Sequence, residues 1–187
     1  MPLISLVGSD RPKSFNASAV SLVESALQSL GEDTHRVGWE NLDLPIYSQV
    51  IESEQGLPDA ITELRAKLAG ADGLIIGCPE YNGFMPPLLL NTLTWATRNQ
   101  QGQPDLSPFR FKPCLICASS PGGLGGIRAA SHLANYLLGI GASVYPDFFI
   151  VPNAFTALAT AEASEPLNAR AKTIADGFLA RTRLISG

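Results

Sequence analysis

The chain has 187 residues, of which 45% are hydrophobic and 16% charged, and its net charge at pH 7 is −4. This length and composition suit one soluble globular domain over residues 1–187. The sequence contains no basic cluster, which argues against nucleic acid and anionic membranes as partners. It shows no secretory leader and no apolar run long enough to span a bilayer, so we expect a cytoplasmic protein.

Cysteine and histidine spacing indicates neither a disulfide framework nor a metal site. The chain has three cysteines, and Cys114 and Cys117 form C-x-x-C inside an apolar run, where residues three apart point to opposite faces of a strand. We therefore expect buried core thiols rather than a redox pair. His35 and His132 lack a second ligand at metal-binding spacing, so no metal is predicted.

The first predicted elements are a strand at residues 2–7, a polar loop and an amphipathic helix that ends near Gly31. Free N–H groups and the macrodipole at a helix start favour an anion, and side-chain donors strengthen such a site. The loop therefore predicts a phosphate site made of Ser9, Arg11, Ser14 and Asn16.

A simpler interpretation of this loop is that Ser14 or Asn16 only caps the helix, which leaves Ser9 and Arg11 as surface residues. The loop matches neither G-x-x-x-x-G-K-[ST] nor G-x-G-x-x-G, which disfavours a nucleoside triphosphate or a dinucleotide. A mononucleotide phosphate remains compatible with it.

A turn after a buried strand is the second candidate for a binding loop. The apolar run of residues 73–78 fits a central parallel strand, and ligands of open α/β sheets bind beyond the carboxyl ends of such strands. A plain β-turn explains its proline, asparagine and glycine, but it does not require an acid and an aromatic beside them. We predict ligand contacts from Pro79, Glu80, Tyr81, Asn82 and Gly83.

The next segment, residues 86–98, predicts a helix that begins with two prolines and is apolar on nearly every face. A helix of this kind is buried on more than one side, which favours an oligomer contact.

A glycine-rich loop follows the apolar strand of residues 113–118 and is the third candidate. Four of its residues have no side chain, so its backbone can approach a ligand closely, although glycines alone would equally make a flexible turn. The predicted contacts are Ser119, Ser120, Pro121, Gly122 and Gly123.

The remaining elements complete an alternation of strands and helices. They are a weak strand at residues 34–39, an irregular segment at residues 42–56, a helix through Ile61 and Leu68, a helix through Leu133, a last strand at residues 143–151 and a closing helix through Phe178. The alternation predicts an α/β fold with a doubly wound, five-stranded parallel sheet. The three candidate loops follow strands one, three and four, which are neighbours in the flavodoxin-like order 2-1-3-4-5 but not in 3-2-1-4-5. The familiar ligand of the first order is FMN.

Three motifs together resemble the NAD(P)H-dependent FMN reductase family, which includes chromate, quinone and azo-dye reductases. The resemblance implies a flavodoxin-like fold, non-covalent FMN and homodimers or homotetramers formed partly through the helix of residues 86–98. It also implies that the first motif holds the phosphate and that the other two line the ribityl chain and isoalloxazine. The motifs are Gly8-Ser9-x-Arg11-x-x-Ser14-x-Asn16, Pro79-Glu80-Tyr81-Asn82-Gly83 and Ser120-Pro121-Gly122-Gly123-x-Gly125-Gly126-x-Arg128-Ala129.

The implied activity is ping-pong hydride transfer from NADPH or NADH through FMN to a small-molecule electron acceptor, such as a quinone, an azo compound, a metal oxyanion or free flavin. No catalytic acid–base residue is required, because the cofactor carries the chemistry. The chain departs from the family at Pro87, Leu90 and Thr94, where Gly, Lys and Asp are usual, so this helix loses two charges.

Two other functions share this fold. A flavodoxin-type electron carrier would bind FMN without reductase activity of its own, but its docking surface is typically more acidic than a net charge of −4. A receiver-type signalling domain needs clustered acids after strands one and three, where the chain offers only Asp10 and Glu80.

Overall fold

A computed structural model describes residues 1–38 and 42–186, in which a parallel sheet carries helices on both faces. The strands are β1 (Leu3–Val7), β2 (Thr34–Val37), β3 (Gly73–Gly77), β4 (Pro113–Ser119), β5 (Ser143–Val144) and β6 (Phe149–Val151). The helices are α1 (Phe15–Ser29), α2 (Gln49–Gln55), α3 (Asp59–Gly70), α4 (Pro87–Ala96), α5 (Ile127–Gly139), α6 (Ala154–Ala157) and α7 (Ala161–Ser186).

The sheet has the order β2-β1-β3-β4-β5, with β6 also paired to β4, and every pairing is parallel. The predicted order 2-1-3-4-5 is thus confirmed. The last predicted strand differs, because it is split into β5 and β6. Tyr145 still donates to the Cys114 carbonyl at 2.8 Å, but Pro146 follows it and has no N–H for the ladder.

Two elements between β1 and β3 differ from the sequence prediction. The segment predicted as irregular contains α2, whose start is capped by Ser48 accepting from the Val50 N–H at 3.2 Å. The second strand, predicted over residues 34–39, ends at Val37, and Trp39 lies outside the described residues.

Every residue of β1, β3 and β4 is buried, as expected for strands covered on both faces. One core lies between the sheet and α3, α4 and α5, and the other lies between the sheet and α1 and α7. Cys114 belongs to the first core and Cys117 to the second, so the C-x-x-C thiols point to opposite faces. Burial raises the pKa of Cys114 to about 12 and that of Cys117 further still, which keeps both thiols protonated.

Within residues 1–38 and 42–186, no group of three or more His, Cys, Asp or Glu residues could hold a metal ion. None of the helices in those ranges combines the length and the apolar character needed to cross a membrane.

Candidate functional site

All the predicted site residues lie in, or directly beside, three loops at the carboxyl edge of the sheet. The first loop is residues 8–14, the second is residues 78–86 and the third is residues 120–126. They follow β1, β3 and β4, which are adjacent strands. Gly8 brings the first loop against the second, because a Cβ atom there would stand 3.2 Å from Cδ of Pro79 and 3.0 Å from Cβ of Leu89.

Asn16 joins the first loop to the third. Its side-chain amide donates to the Ser119 carbonyl at 3.0 Å, and its side-chain oxygen accepts from the Ser119 N–H at 2.9 Å. Both residues are buried, so these two bonds satisfy backbone groups that water cannot reach. The observed contact of Asn16 therefore fixes the start of α1 against the end of β4, and its contact with phosphate remains a prediction.

The start of α1 has the features of an anion site. Ser14 caps the helix by accepting from the Ala17 N–H at 3.4 Å, which uses one of the several free N–H groups there. The first turn of α1 carries no acidic residue, so nothing offsets the positive end of its dipole. Arg11 is exposed, and Ser9 is half-buried with its hydroxyl accepting from the Arg11 N–H at 3.3 Å.

The second loop ends in a tight turn that presents an aromatic ring. Tyr81 and Phe84 exchange backbone hydrogen bonds of 2.9 and 3.0 Å. The residues between them, Asn82 and Gly83, have φ of 54° and 81°, and asparagine and glycine are the residues that best adopt such values. The Tyr81 residue is 51% exposed and stands at the edge of the site.

The carboxylate of Glu80 faces α5. The side chain is 9% exposed, and it accepts from Nε of Arg128 at 2.8 Å and from the Ala129 N–H at 3.4 Å. Burial alone would raise the pKa of Glu80, but the hydrogen bonds from Arg128 and Ala129 outweigh it and hold the pKa below its ordinary value. Glu80 is thus a charged group that ties the second loop to α5, and its contact with a ligand remains a prediction.

The third loop is held by the segment around β6. The Ser119 hydroxyl donates to the Val151 carbonyl at 3.1 Å, and the Asn153 N–H donates to the Gly122 carbonyl at 3.1 Å. Gly125 has φ of 60°, and a Cβ atom there would lie 2.5 Å from a β6 side chain. The path of the glycine-rich loop therefore depends on a strand that the sequence did not connect with the site.

Sequence reasoning also missed an aromatic pair at the rim of the first loop. The ring of Phe15 stands edge-on to that of Phe155, with centroids 4.9 Å apart, and the Arg11 guanidinium lies 5.6 Å from the Phe15 centroid. No local signal links Phe155, in α6, with a loop near the start of the chain.

A second surface lies along the outer side of α4. Asn91 and Trp95 both donate to the Pro45 carbonyl at 2.9 Å, and Asn91 accepts from the Tyr47 N–H at 2.8 Å. Because Asn91 and Trp95 are four residues apart, they lie on the same side of α4. Together they hold the segment of residues 45–47, which precedes α2, against this helix.

A buried ion pair supports the same segment. Glu52 is 5% exposed and accepts from Arg98 twice, at 2.8 and 3.0 Å, and from the Tyr47 hydroxyl at 3.1 Å. The side-chain hydrogen bonds from Arg98, and secondarily from Tyr47, hold the pKa of Glu52 below its ordinary value despite its burial. The carboxylate is therefore charged, with bonds from two side chains.

Between this segment and α4 runs an open, mainly apolar groove of about 510 Å³, which we call the α4 groove. The three residues that depart from the family pattern, Pro87, Leu90 and Thr94, all line it. The other lining residues are Ile46, Tyr47, Leu88 and Asn91.

Comparisons with known proteins agree with this geometry. A sequence model described as NADPH-dependent FMN reductase matches residues 1–156. A quinone reductase of Escherichia coli K12 is 32% identical over 159 residues, which cover 79% of this chain and 76% of that protein. A 2-hydroxy-1,4-benzoquinone reductase of Burkholderia sp. is 38% identical over 129 residues, or 68% of this chain and 65% of that protein. Among solved structures, the flavoenzyme NAD(P)H:(acceptor) oxidoreductase FerB of Paracoccus denitrificans has a TM-score of 0.71 at 25% identity, and the match covers 96% of this chain and 98% of that one.

Proposed function

Because the chain belongs to the NADPH-dependent FMN reductase family, we propose that its three loops together form the FMN site. The protein is an oxidoreductase that uses FMN and NADPH or NADH. The observation that carries the assignment of the site is the joining of the loops, through Gly8 against Pro79 and through Asn16 to Ser119. These contacts support the proposal, because they hold the start of α1, the turn with the exposed Tyr81 and the glycine-rich loop at one edge of the sheet.

The residues at the first loop fit a phosphate monoester. The dipole and free N–H groups of α1 supply a binding site for two negative charges, and Ser9, Arg11 and Ser14 add side-chain donors. Asn16 keeps this donor set in register with the third loop through its two bonds to Ser119.

The second and third loops fit the ribityl chain and a flat ring system. Among the described residues, the hydrogen bonds that hold the third loop use its carbonyls and the N–H groups of Ser120 and Gly125, so the N–H groups of Gly122 and Gly123 are available to ring oxygens and nitrogens. Tyr81 and Asn82 would border the ring from the other side, at a turn where Gly83 contributes no side chain. FMN, when bound, supplies hydride acceptance from nicotinamide and two-electron transfer to an acceptor. The loops orient it and stabilise negative charge on its ring.

We propose quinones as the acceptor class, since relatives that cover most of this chain are named quinone reductases. With FMN held by the three loops, the donor would leave before the acceptor binds, so we expect ping-pong kinetics. A cytoplasmic location belongs to the same proposal.

The test is flavin retention followed by rapid reduction. Protein incubated with FMN and desalted should keep flavin absorbance, and NADPH should bleach it rapidly in a stopped-flow instrument. Arg11→Ala should lose most of the bound flavin, and Tyr81→Ala should lose less. The reason is that a charge-assisted bond from Arg11 to the phosphate contributes more binding energy than the contact of the Tyr81 ring with the flavin. Arg110→Ala, near the opposite edge of the sheet, is the matched control. Flavin that stays oxidised for minutes would indicate an electron carrier, and equal retention by Arg11→Ala would refute the phosphate assignment.

We further propose that the chain forms homodimers or homotetramers through the α4 groove. Leu88 and Leu90 are only half-buried in the single chain, so a second copy would remove apolar surface from water. Leu90→Glu should reduce the mass measured by light scattering to that of a monomer, and Leu184→Glu, an exposed residue of α7, should not. A monomeric wild-type protein would contradict this proposal without affecting the FMN site.

A further inference from the structure

The second loop is attached to α5 by its first residues. Glu80 accepts from Nε of Arg128 at 2.8 Å, from a second guanidinium nitrogen of the same residue, and from the Ala129 N–H at 3.4 Å. Arg128 and Ala129 belong to the first turn of α5, and Gly126 at the end of the third loop is the N-cap of that helix. The Glu80 contact therefore crosses from the second loop to the base of the third.

A second attachment follows the tight turn. The ring of Phe84 packs on that of His132, with centroids 4.5 Å apart. His132 lies one helical turn beyond Arg128, so both residues are on the same face of α5. The Arg128 guanidinium also passes beneath the turn, where a Cβ atom on Gly83 would lie 3.9 Å from its Cζ. The turn is thus attached to α5 before it begins, through Glu80, and at its end, through Phe84.

The turn needs an attachment to keep a fixed place in the site. Its own two hydrogen bonds, between Tyr81 and Phe84, join its ends, and Asn82 and Gly83 suit its positive φ values. These features set the shape of the turn but not its position relative to α5. The charged bonds to Glu80 fix that position, since charge-assisted bonds are roughly twice as strong as neutral ones.

We propose that Arg128 is a positioning residue of the flavin site, acting through Glu80 without touching the cofactor. The pair holds the second loop at a fixed distance from the third, and so sets the width of the slot between these loops in which the isoalloxazine ring would lie. This inference rests on the proposed FMN site.

The variants Arg128→Met and Glu80→Gln test the pair against a matched control. Arg183 pairs with Glu32 at 3.0 Å, and the side-chain exposures of 60% and 11% are close to the 60% and 9% of Arg128 and Glu80. It lies on α7, away from the three loops. Arg183→Met therefore removes an ion pair of similar exposure without touching the slot, and Glu32 keeps its bond to the N-terminal ammonium group at 2.8 Å.

The measurements are the FMN dissociation constant, by quenching of flavin fluorescence, and the visible circular dichroism of bound FMN. Arg128→Met and Glu80→Gln should each raise the dissociation constant about tenfold and alter the dichroism, and the double variant should add little more. Arg128→Lys should bind FMN more tightly than Arg128→Met but less tightly than the wild type, because lysine restores the charge but not the two guanidinium hydrogen bonds to Glu80. Arg183→Met should match the wild type. Unchanged affinity and dichroism in Arg128→Met, or additive effects in the double variant, would overturn the proposal.

Hydrogen exchange of the apo-protein keeps this inference separable from the function. The amides of Tyr81 and Phe84, which are hydrogen bonded across the turn, should exchange faster in Arg128→Met than in the wild type or in Arg183→Met, because the turn has lost its attachment. Unchanged exchange would refute the positioning role even if FMN binds. A wild-type protein that binds no FMN would instead refute the proposed function.

Discussion

The three loops and the α4 groove are held in place by different kinds of contact. Backbone groups and glycines bring the loops together, with Asn16 and Glu80 as the side chains that bridge them. The α4 groove is held by side chains, whose polar atoms are largely occupied with each other or with the backbone. The loops therefore keep donors for a charged ligand, whereas the groove offers mainly apolar surface. Variants in the groove should change stability, and variants in the loops should change flavin binding.

The largest effect on stability is expected from Arg98→Ala, in the ion pair that supports the segment beside the α4 groove. The substitution leaves the Glu52 carboxylate buried without its cation, which costs about 3–5 kcal/mol. Denaturant unfolding should show this loss, while the folded fraction should bind FMN with unchanged affinity. A double variant, Glu52→Leu with Arg98→Met, should recover much of the stability because no charge is left buried. A reduced flavin affinity in folded Arg98→Ala would contradict the expectation that this ion pair affects stability but not flavin binding.

Asn16→Ala and Asn91→Ala make a matched pair across the two regions. Each side chain both donates to and accepts from backbone groups, Asn16 at Ser119 and Asn91 at the segment before α2. Asn16→Ala should cost about 2–3 kcal/mol, because it leaves buried polar groups unpaired, and Asn91→Ala should cost less because Asn91 is only half-buried.

Only Asn16→Ala should release FMN on desalting, since only Asn16 holds the first loop against the third. Flavin loss in Asn91→Ala as well would show that contacts at the α4 groove also determine the positions of the three loops.

The fold was predictable because its signals are local. The apolar runs of β1, β3 and β4 and the helical spacing of α1 each lie within a short window, and the order of the strands followed from which strands precede the polar loops. The break at Pro146 and the short helix α2 were not predicted. Both depend on a few residues inside segments that were interpreted as a single strand or as irregular chain.

Only the part of the site that lies in short, continuous motifs was predictable from the sequence. The three loops carry recognisable residues, but their partners lie elsewhere in the chain: Ser119 for Asn16, Arg128 for Glu80 and Phe155 for Phe15. No spacing rule connects residues that meet only through the order of the strands. For the same reason, the sequence did not distinguish side chains that bind a ligand from those that position the loops.

A smaller effect on stability is expected from pH, through the same ion pair of Glu52 and Arg98. The pKa of Glu52 is held below its ordinary value, so the stability that this carboxylate contributes is present above about pH 4.5 and is lost as the pH falls through its folded-state pKa. The difference in unfolding free energy between the wild type and Glu52→Gln should therefore shrink below that pH. This loss should be smaller than that in Arg98→Ala, because protonation neutralises the carboxyl group instead of leaving it charged and unpaired.

In Arg98→Ala, lowering the pH should have the opposite effect on the stability that depends on Glu52. Without its cation, the buried carboxyl group of Glu52 has a raised pKa, so its protonation favours the folded state and the deficit relative to the wild type should narrow in acid. A deficit that stays constant from pH 7 to pH 4 would mean that Glu52 is not the group responsible.

The smallest expected effect is that of thiol reagents on the native protein. Cys78 lies directly before Pro79 in the second loop, and Cys114 and Cys117 lie in β4, yet all three are buried and free. Burial raises the pKa of Cys78 and of Cys114 to about 12, so the reactive thiolate is scarce at neutral pH. A disulfide reagent should therefore titrate no thiol in the folded protein within the time that releases all three in denaturant. If Cys78 alone reacted, and if FMN protected it, the second loop would have to open in the absence of flavin, and the fixed slot between the loops would be wrong.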